Sequence, residues 1–198
     1  GFNVGAIPAD ASSIVLYVDG VEVAATYNAT TGTLTPNTPL AEGTHSITYA
    51  YEDASGNTSA QSPAFSLTVD TTPPATPTTA ISNYDDNVGA ITNANSTATS
   101  TDDTTPGFNV GAIPTDASSI VLYVDGVEVA ATYNATTGTL TPNTPLAEGT
   151  HSITYAYEDA SGNTSAQSPA FSLTVDTTPP ATPTTAISNY DDNVGAIT

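Results

Sequence analysis

Ser13-Ile14-Val15-Leu16-Tyr17-Val18-Asp19-Gly20-Val21-Glu22-Val23-Ala24-Ala25-Thr26-Tyr27 is the stretch that decides the fold of this chain. Its first six residues form a largely apolar run rich in β-branched side chains, and a second run follows Gly20. An Asp-Gly pair between two such runs is the usual signal for a type I′ turn, so the stretch predicts an antiparallel hairpin. The same fifteen residues return at 119–133. The recurrence runs much further: residues 1–92 reappear as 107–198 with one difference, Ala9 against Thr115, and 93–106 set the period at 106. A period that long repeats a whole domain rather than a solenoid unit. Two nearly identical domains in series suit length better than they suit an active site.

Working outward from the hairpin, further strand signals are short and bounded by Gly, Pro, Asn and Asp. Residues 33–35 form a short run before Pro36-Asn37-Thr38-Pro39. Residues 44–51 alternate, with His45, Ile47, Tyr49 and Tyr51 on one face. Residues 64–70 alternate too, with Phe65, Leu67 and Val69 together. No segment carries apolar residues at helical spacing over more than two turns. After 64–70 come Thr71-Thr72-Pro73-Pro74-Ala75-Thr76-Pro77, a stiff proline-rich linker, and then an expected strand at 78–83. The domain frame is therefore out of phase with the chain ends. Residues 1–70 read as a domain lacking its first strand, 71–77 as linker, 78–176 as a complete domain, and 177–198 as linker plus the first strand of a third repeat. In the complete domain strands are expected at 78–83, 107–112, 119–124, 127–133, 139–141, 150–157 and 170–176. A long acidic loop covers 84–106. That gives seven strands, all antiparallel by turn length: an all-β, immunoglobulin-like sandwich.

Composition narrows function. Among 198 residues there are 20 Asp and Glu, no Lys or Arg, and a formal charge of −20. Beyond the termini, only His45 and His151 can carry positive charge. Nothing here can neutralise phosphates, which excludes nucleic acid and anionic membrane surfaces as partners. No apolar run approaches ~18 residues, so no membrane insertion is expected. Cys is absent, and ~100 residues suffice for a core without disulfides. No nucleophile–base pair or phosphate loop is visible, so the chain does not read as an enzyme. The histidines read as packed and hydrogen-bonded. Tyrosines inside strands read as packing, although an exposed set would suit a carbohydrate- or protein-binding module.

The acids cluster. If strands alternate in direction, Asp85, Asp86, Asp102, Asp103 and Asp176 converge on one pole of the complete domain. Asp116 and the loop Glu158-Asp159-Ala160-Ser161-Gly162-Asn163 lie at the other. In an array one pole meets the next domain's opposite pole, and Asp70 stands at such a junction. Carboxylates crowded together without a basic residue are relieved by a cation, and hard oxygen donors suit Ca²⁺, which takes ~6–8 of them in flexible geometry. With no Cys and one His per repeat, zinc is not suited. Turn chemistry is the competing reading: it is preferred for Asp19-Gly20 and stands level with calcium for Asp116.

Four motifs carry a resemblance. They are Thr101-Asp102-Asp103-Thr104-Thr105-Pro106, Leu146-Ala147-Glu148-Gly149-Thr150-His151-Ser152, Glu158-Asp159-Ala160-Ser161-Gly162-Asn163 and Val175-Asp176-Thr177-Thr178-Pro179-Pro180. Together, in this order, they are similar to bacterial immunoglobulin-like (BIg-type) repeats of giant type I-secreted, repeats-in-toxin biofilm adhesins, an ice-binding one included. The resemblance covers the whole repeat. It implies non-catalytic extender domains at the bacterial cell surface, rigidified by Ca²⁺ at domain ends and junctions. Their partners would be neighbouring repeats of the same chain, and a host or surface ligand would be bound elsewhere in the parent protein. Carried onto this sequence, the implied ligands are Asp70, Asp86, Asp102, Asp103, Asp159 and Asp176. Clustering adds Asp85, Asp116, Glu158 and Asn163.

Overall fold

A computed structural model describes residues 1–90 and 92–188. The chain divides into two compact units, Gly1–Pro73 and Pro74–Thr198. The division falls inside the proline-rich stretch. No helix occurs among the described residues.

Unit 1 has seven strands: β1 (Phe2–Asn3), β2 (Ser13–Val18), β3 (Val21–Val23), β4 (Ala25–Asn28), β5 (Thr33–Pro36), β6 (Gly43–Glu52) and β7 (Phe65–Val69). They form a three-stranded sheet, β1-β5-β4, and a four-stranded sheet, β3-β2-β6-β7. Leu16, Leu34 and Ile47 are its buried core.

Unit 2 repeats this plan and adds to it. Three strands come first: β8 (Tyr84–Asp86), β9 (Asn93–Ser96) and β10 (Ser100–Thr101). Then follow β11 (Gly107–Asn109), β12 (Ser119–Val124), β13 (Val127–Val129), β14 (Ala131–Asn134), β15 (Thr139–Pro142), β16 (Gly149–Glu158) and β17 (Phe171–Val175). Two five-stranded sheets result, β14-β15-β11-β8-β9 and β10-β17-β16-β12-β13. Between them lie Ile81, Tyr84, Phe108, Val110, Leu122, Leu140, Ile153, Tyr155 and Leu173. The expected all-β, immunoglobulin-like sandwich is the observed fold.

The hairpin forms as its Asp-Gly pair dictates. Asp19 and Gly20 have φ of 53° and 79°, and Asp125 and Gly126 have 54° and 79°. Both central positions are left-handed, as a type I′ turn requires.

Four expectations are corrected. The first strand of the complete domain is Tyr84–Asp86, not 78–83. Pairing follows the large core side chain: Tyr84 lies opposite Phe108, and Asp85 opposite Gly107. The stretch 84–106 is not one loop, because β9 and β10 form within it from polar residues whose backbones pair. The strands are not all antiparallel, since β10 runs parallel to β17. The expected strand 127–133 breaks at Ala130, its halves joining different sheets. In the tail, residues 177–188 form no strand; the rest of the strand expected there lies outside the described residues.

Candidate cation-binding site

The acids of one pole of unit 2 are drawn together by β8, β10 and the end of β17. Asp86 closes β8 and is 7% exposed; Asp103, just past β10, is fully buried. Thr101 links them. Its hydroxyl donates to Asp86 Oδ2 at 3.0 Å and accepts from the Asp103 N–H at 3.0 Å. Asp103 Oδ1 also accepts the Thr105 N–H at 2.8 Å, and Oδ2 accepts the Asn87 N–H at 3.4 Å. Asp86 Oδ1 is buried and has no hydrogen-bond partner among the described residues. Such an atom costs about 1–3 kcal/mol unless something binds it.

Asp86, Asp102 and Asp176 line one cavity, together with Ser96, Ser100 and Thr101. Gly89 has a left-handed φ of 78°, and a Cβ there would collide with the Asp102 carboxylate. The backbone thus comes right up to that acid. Asp85 sits outside this group, its Cβ 3.3 Å from where a Gly107 Cβ would stand. The donors are all hard oxygens with one buried oxygen unclaimed, so their chemistry fits Ca²⁺. They are not, however, gathered into a ready cage: no group of three or more His, Asp or Glu among the described residues is arranged to hold a metal ion.

The opposite pole is occupied by turn chemistry. Asp159 Oδ1 accepts the N–H groups of Ser161 and Asn163 at 2.8 and 2.9 Å, and Oδ2 accepts the Asn163 amide at 2.8 Å. Those donors, the Asn163 side chain foremost, hold the Asp159 carboxyl below the usual range. Asp53 is held the same way in unit 1. Glu158 accepts from the Ser119 hydroxyl at 3.1 Å.

Each unit also grips its own end of the linker. Glu42 Oε1 accepts the Thr71 N–H at 2.7 Å, the Thr71 hydroxyl at 2.8 Å and the Thr72 hydroxyl at 2.9 Å. Asp70 Oδ1 caps the Thr72 N–H at 3.1 Å. In unit 2, Asp116 Oδ2 accepts the Ala75 N–H at 2.9 Å. Between these anchors only Pro73 and Pro74 remain. The pattern recurs at 148 and 176: Glu148 accepts from the Thr177 N–H and hydroxyl, and Asp176 from the Thr178 N–H. The Thr177 hydroxyl, more than its N–H, lowers the Glu148 pKa. Sequence reasoning missed Glu42 and Glu148. Their signal was the spacing from a glutamate to a Thr-Thr pair 29 residues on, which only strand pairing makes near.

The tyrosines do not make an exposed platform in unit 2. Tyr84 and Tyr155 are buried, and Tyr155 and Tyr157 pack edge-on with centroids 5.7 Å apart. Burial pushes Tyr157 up to about 12.

A family model described as "Bacterial Ig-like domain" matches residues 1–71 and again 75–177. No curated protein is matched. Among solved structures, the chain is similar to fibronectin(III)-like modules of Clostridium thermocellum CbhA at 15% identity and a TM-score of 0.43, covering 83% of this chain and 78% of that one. It is also similar to Bacteroides ovatus SGBP-B of a mixed-linkage glucan utilization locus, in complex with a mixed-linkage heptasaccharide. There the identity is 16% and the TM-score 0.24; 84% of this chain is covered but only 38% of that one. At these values neither structure bears on function.

Proposed function

This chain belongs to the bacterial Ig-like domain family, and from that premise we propose that its repeats are non-catalytic extender modules of a secreted bacterial surface adhesin. They hold a ligand-binding region away from the cell, and their partners are neighbouring repeats. The observation that carries this reading is the linker: Glu42 and Asp116 fasten it on either side of two consecutive prolines. Two such prolines are stiff, and fastening their flanks leaves few rotatable bonds. Supporting it, two nearly identical sandwiches stand in series, an arrangement that multiplies length.

Calcium is the cation we assign to the acidic pole. Asp86, Asp102 and Asp176 would supply its carboxylates, with the buried Asp86 Oδ1 the first atom to gain. Asp103 holds Thr101 and, through it, Asp86. Asp70, as the counterpart of Asp176 one repeat earlier, would serve the same role at its own junction.

Arrays of two, four and eight repeats test the reading by small-angle scattering. The longest strand of each unit, β6 or β16, has 10 residues and at ~3.3 Å each spans roughly 30 Å, so each unit should add about 40 Å with its loops. Maximum dimension should grow in proportion to repeat number with calcium, and closer to its square root in chelator. Square-root growth in calcium would overturn the extender role. Proportional growth in chelator would remove the metal from it.

A further inference from the structure

Each histidine of this chain stands three residues after the glutamate that grips the linker: His45 after Glu42, and His151 after Glu148. In unit 1 the His45 ring joins two other elements. Its Nδ1 lies 2.8 Å from Asp19 Oδ2 in the β2–β3 turn, and its Nε2 lies 2.9 Å from the Ala41 carbonyl in the β5–β6 connection. That carbonyl and the Glu42 nitrogen belong to one planar peptide unit, which turns only as a whole. Just beyond Glu42, Gly43 has a φ of 121°, which residues with a side chain rarely adopt, and open space lies where a Cβ would stand. The peptide leading into Glu42 is thus held by the histidine on one side and is able to swing at a glycine on the other.

The ionisable surroundings of the ring are few. The turn supplies Asp19, whose other oxygen accepts the Ser46 N–H at 2.8 Å, and the β5–β6 connection supplies Glu42. Strand β7, which sets Leu67 opposite His45, has no ionisable residue, and Asp70 just past its end caps the Thr72 N–H. Tyr17 of β2 and Glu22 of β3 pair in register with Thr48, on the opposite face of β6 from His45. The same face of β6 carries Tyr49 and Tyr51 further along. In the other sheet of unit 1 the one ionisable residue is Tyr27, whose hydroxyl donates to the Gly5 carbonyl. The ring itself is 13% exposed.

We propose that His45 is a pH-sensitive catch on the linker clamp of unit 1: the doubly protonated ring holds the Ala41–Glu42 peptide so that Glu42 grips Thr71 and Thr72, and loss of one proton lets the peptide turn and the grip loosen. A neutral ring has a single N–H to give. It stays with Asp19, because a hydrogen bond to a carboxylate is the stronger of the two. Nε2 then turns a lone pair toward the Ala41 carbonyl, and two acceptors at 2.9 Å repel each other. The three bonds from Thr71 and Thr72 all converge on one oxygen, Glu42 Oε1, so a small turn of that residue disturbs all of them. Asp19 first and the Ala41 carbonyl second raise His45 above 6.5. The catch is therefore full below 6.5 and is released as pH rises through the raised value. This holds whether or not the repeats act as extenders.

NMR of the full chain tests the coupling, with the imidazole titration of His45 and the amide-exchange protection of Thr71 followed from about pH 6 to about pH 9. After correction for the intrinsic base catalysis of exchange, Thr71 protection should fall about tenfold with the midpoint of the His45 ring, while β6 and β7 stay protected. Asp19→Asn suits the left-handed turn position, and should lower the His45 midpoint and carry the Thr71 step down with it. His45→Gln, which donates but does not titrate, should remove the Thr71 step and leave the His151 midpoint where it was. Coupling is reciprocal. Thr71→Val with Thr72→Val takes two hydroxyl bonds from Glu42 without changing charge, so it should lower the His45 midpoint. Thr71 protection that is flat through the His45 midpoint would overturn the proposal. So would a step that survives His45→Gln, or a His45 midpoint that the two valines do not move.

Discussion

Each histidine of this chain faces two acceptors and no donor. His151 places Nδ1 2.8 Å from Asp125 Oδ2 and Nε2 2.9 Å from the Ala147 carbonyl; His45 does the same with Asp19 and Ala41. Neither a carboxylate nor a carbonyl can donate, so the arrangement favours the doubly protonated ring, in which both nitrogens donate. The carboxylate first and the carbonyl second raise both histidines above 6.5. Asp125 is lowered by the Ser152 N–H and then by His151, and Asp19 by His45 and then the Ser46 N–H. The signs follow. The histidine contribution is full below its unfolded value near 6.5 and fades as pH rises through the raised value. The aspartate contribution is present above 3.8 and fades as pH falls through the lowered value. An NMR titration of the imidazoles should find both above 6.5, and Asp125→Asn should return His151 alone toward the ordinary value. The sequence showed the Asp-Gly turn and a packed histidine, but not that they were partners, because 26 residues separate them and only strand pairing closes the gap.

Among the elements, β8 shows most clearly where a sequence stops being legible. Residues 78–83 offer β-branched side chains, so propensity puts a strand there. The strand forms at Tyr84–Asp86, starting six residues later, where Tyr84 can fill the core opposite Phe108. Strands β9 and β10 left no hydrophobic signal, because Asn-Ala-Asn-Ser and Ser-Thr pair through their backbones and bury little apolar surface. The repeated hairpins and the long β6 and β16 were legible, since their runs are apolar and their turns are chemically fixed. Of the acids the sequence singles out, Asp86, Asp102 and Asp176 share a cavity, and Asp159 and Asn163 bind each other, a pairing that only the turn geometry reveals. Tyr84→Ala should destabilise unit 2 by about 3–5 kcal/mol, the cost of emptying a fully buried aromatic site, and leave unit 1 unchanged. Calorimetry should show one transition moving and the other fixed. Glu42→Ala removes three bonds from Thr71 and Thr72, so amide exchange at Thr71 should quicken while β6 and β7 keep their protection.

At the scale of the whole molecule, twenty acids without a single Lys or Arg add self-repulsion to the chain entropy that opposes folding. A cation that binds only the folded form offsets it by mass action, by about 2.7 kcal/mol at a hundredfold excess over its dissociation constant. Calcium should therefore raise the melting temperature of unit 2 in low salt. Magnesium should do so poorly, because it demands strict octahedral geometry. Asp86→Ala should abolish most of the calcium increment; an increment unchanged by that substitution would move the site elsewhere.

The clamp on the linker also bears on how the chain reaches its fold. In sequence, the segment 74–106 stands between residues 1–70 and 107–176, which differ only at Ala9 and Thr115. Side-chain complementarity cannot tell it which face to close, so the landscape holds two nearly degenerate pairings at that point. Glu42 on Thr71 and Thr72, followed at once by two prolines, stiffens the chain just where it would have to turn back. The bonds and prolines that space two domains thus also make it costly for the following segment to double back.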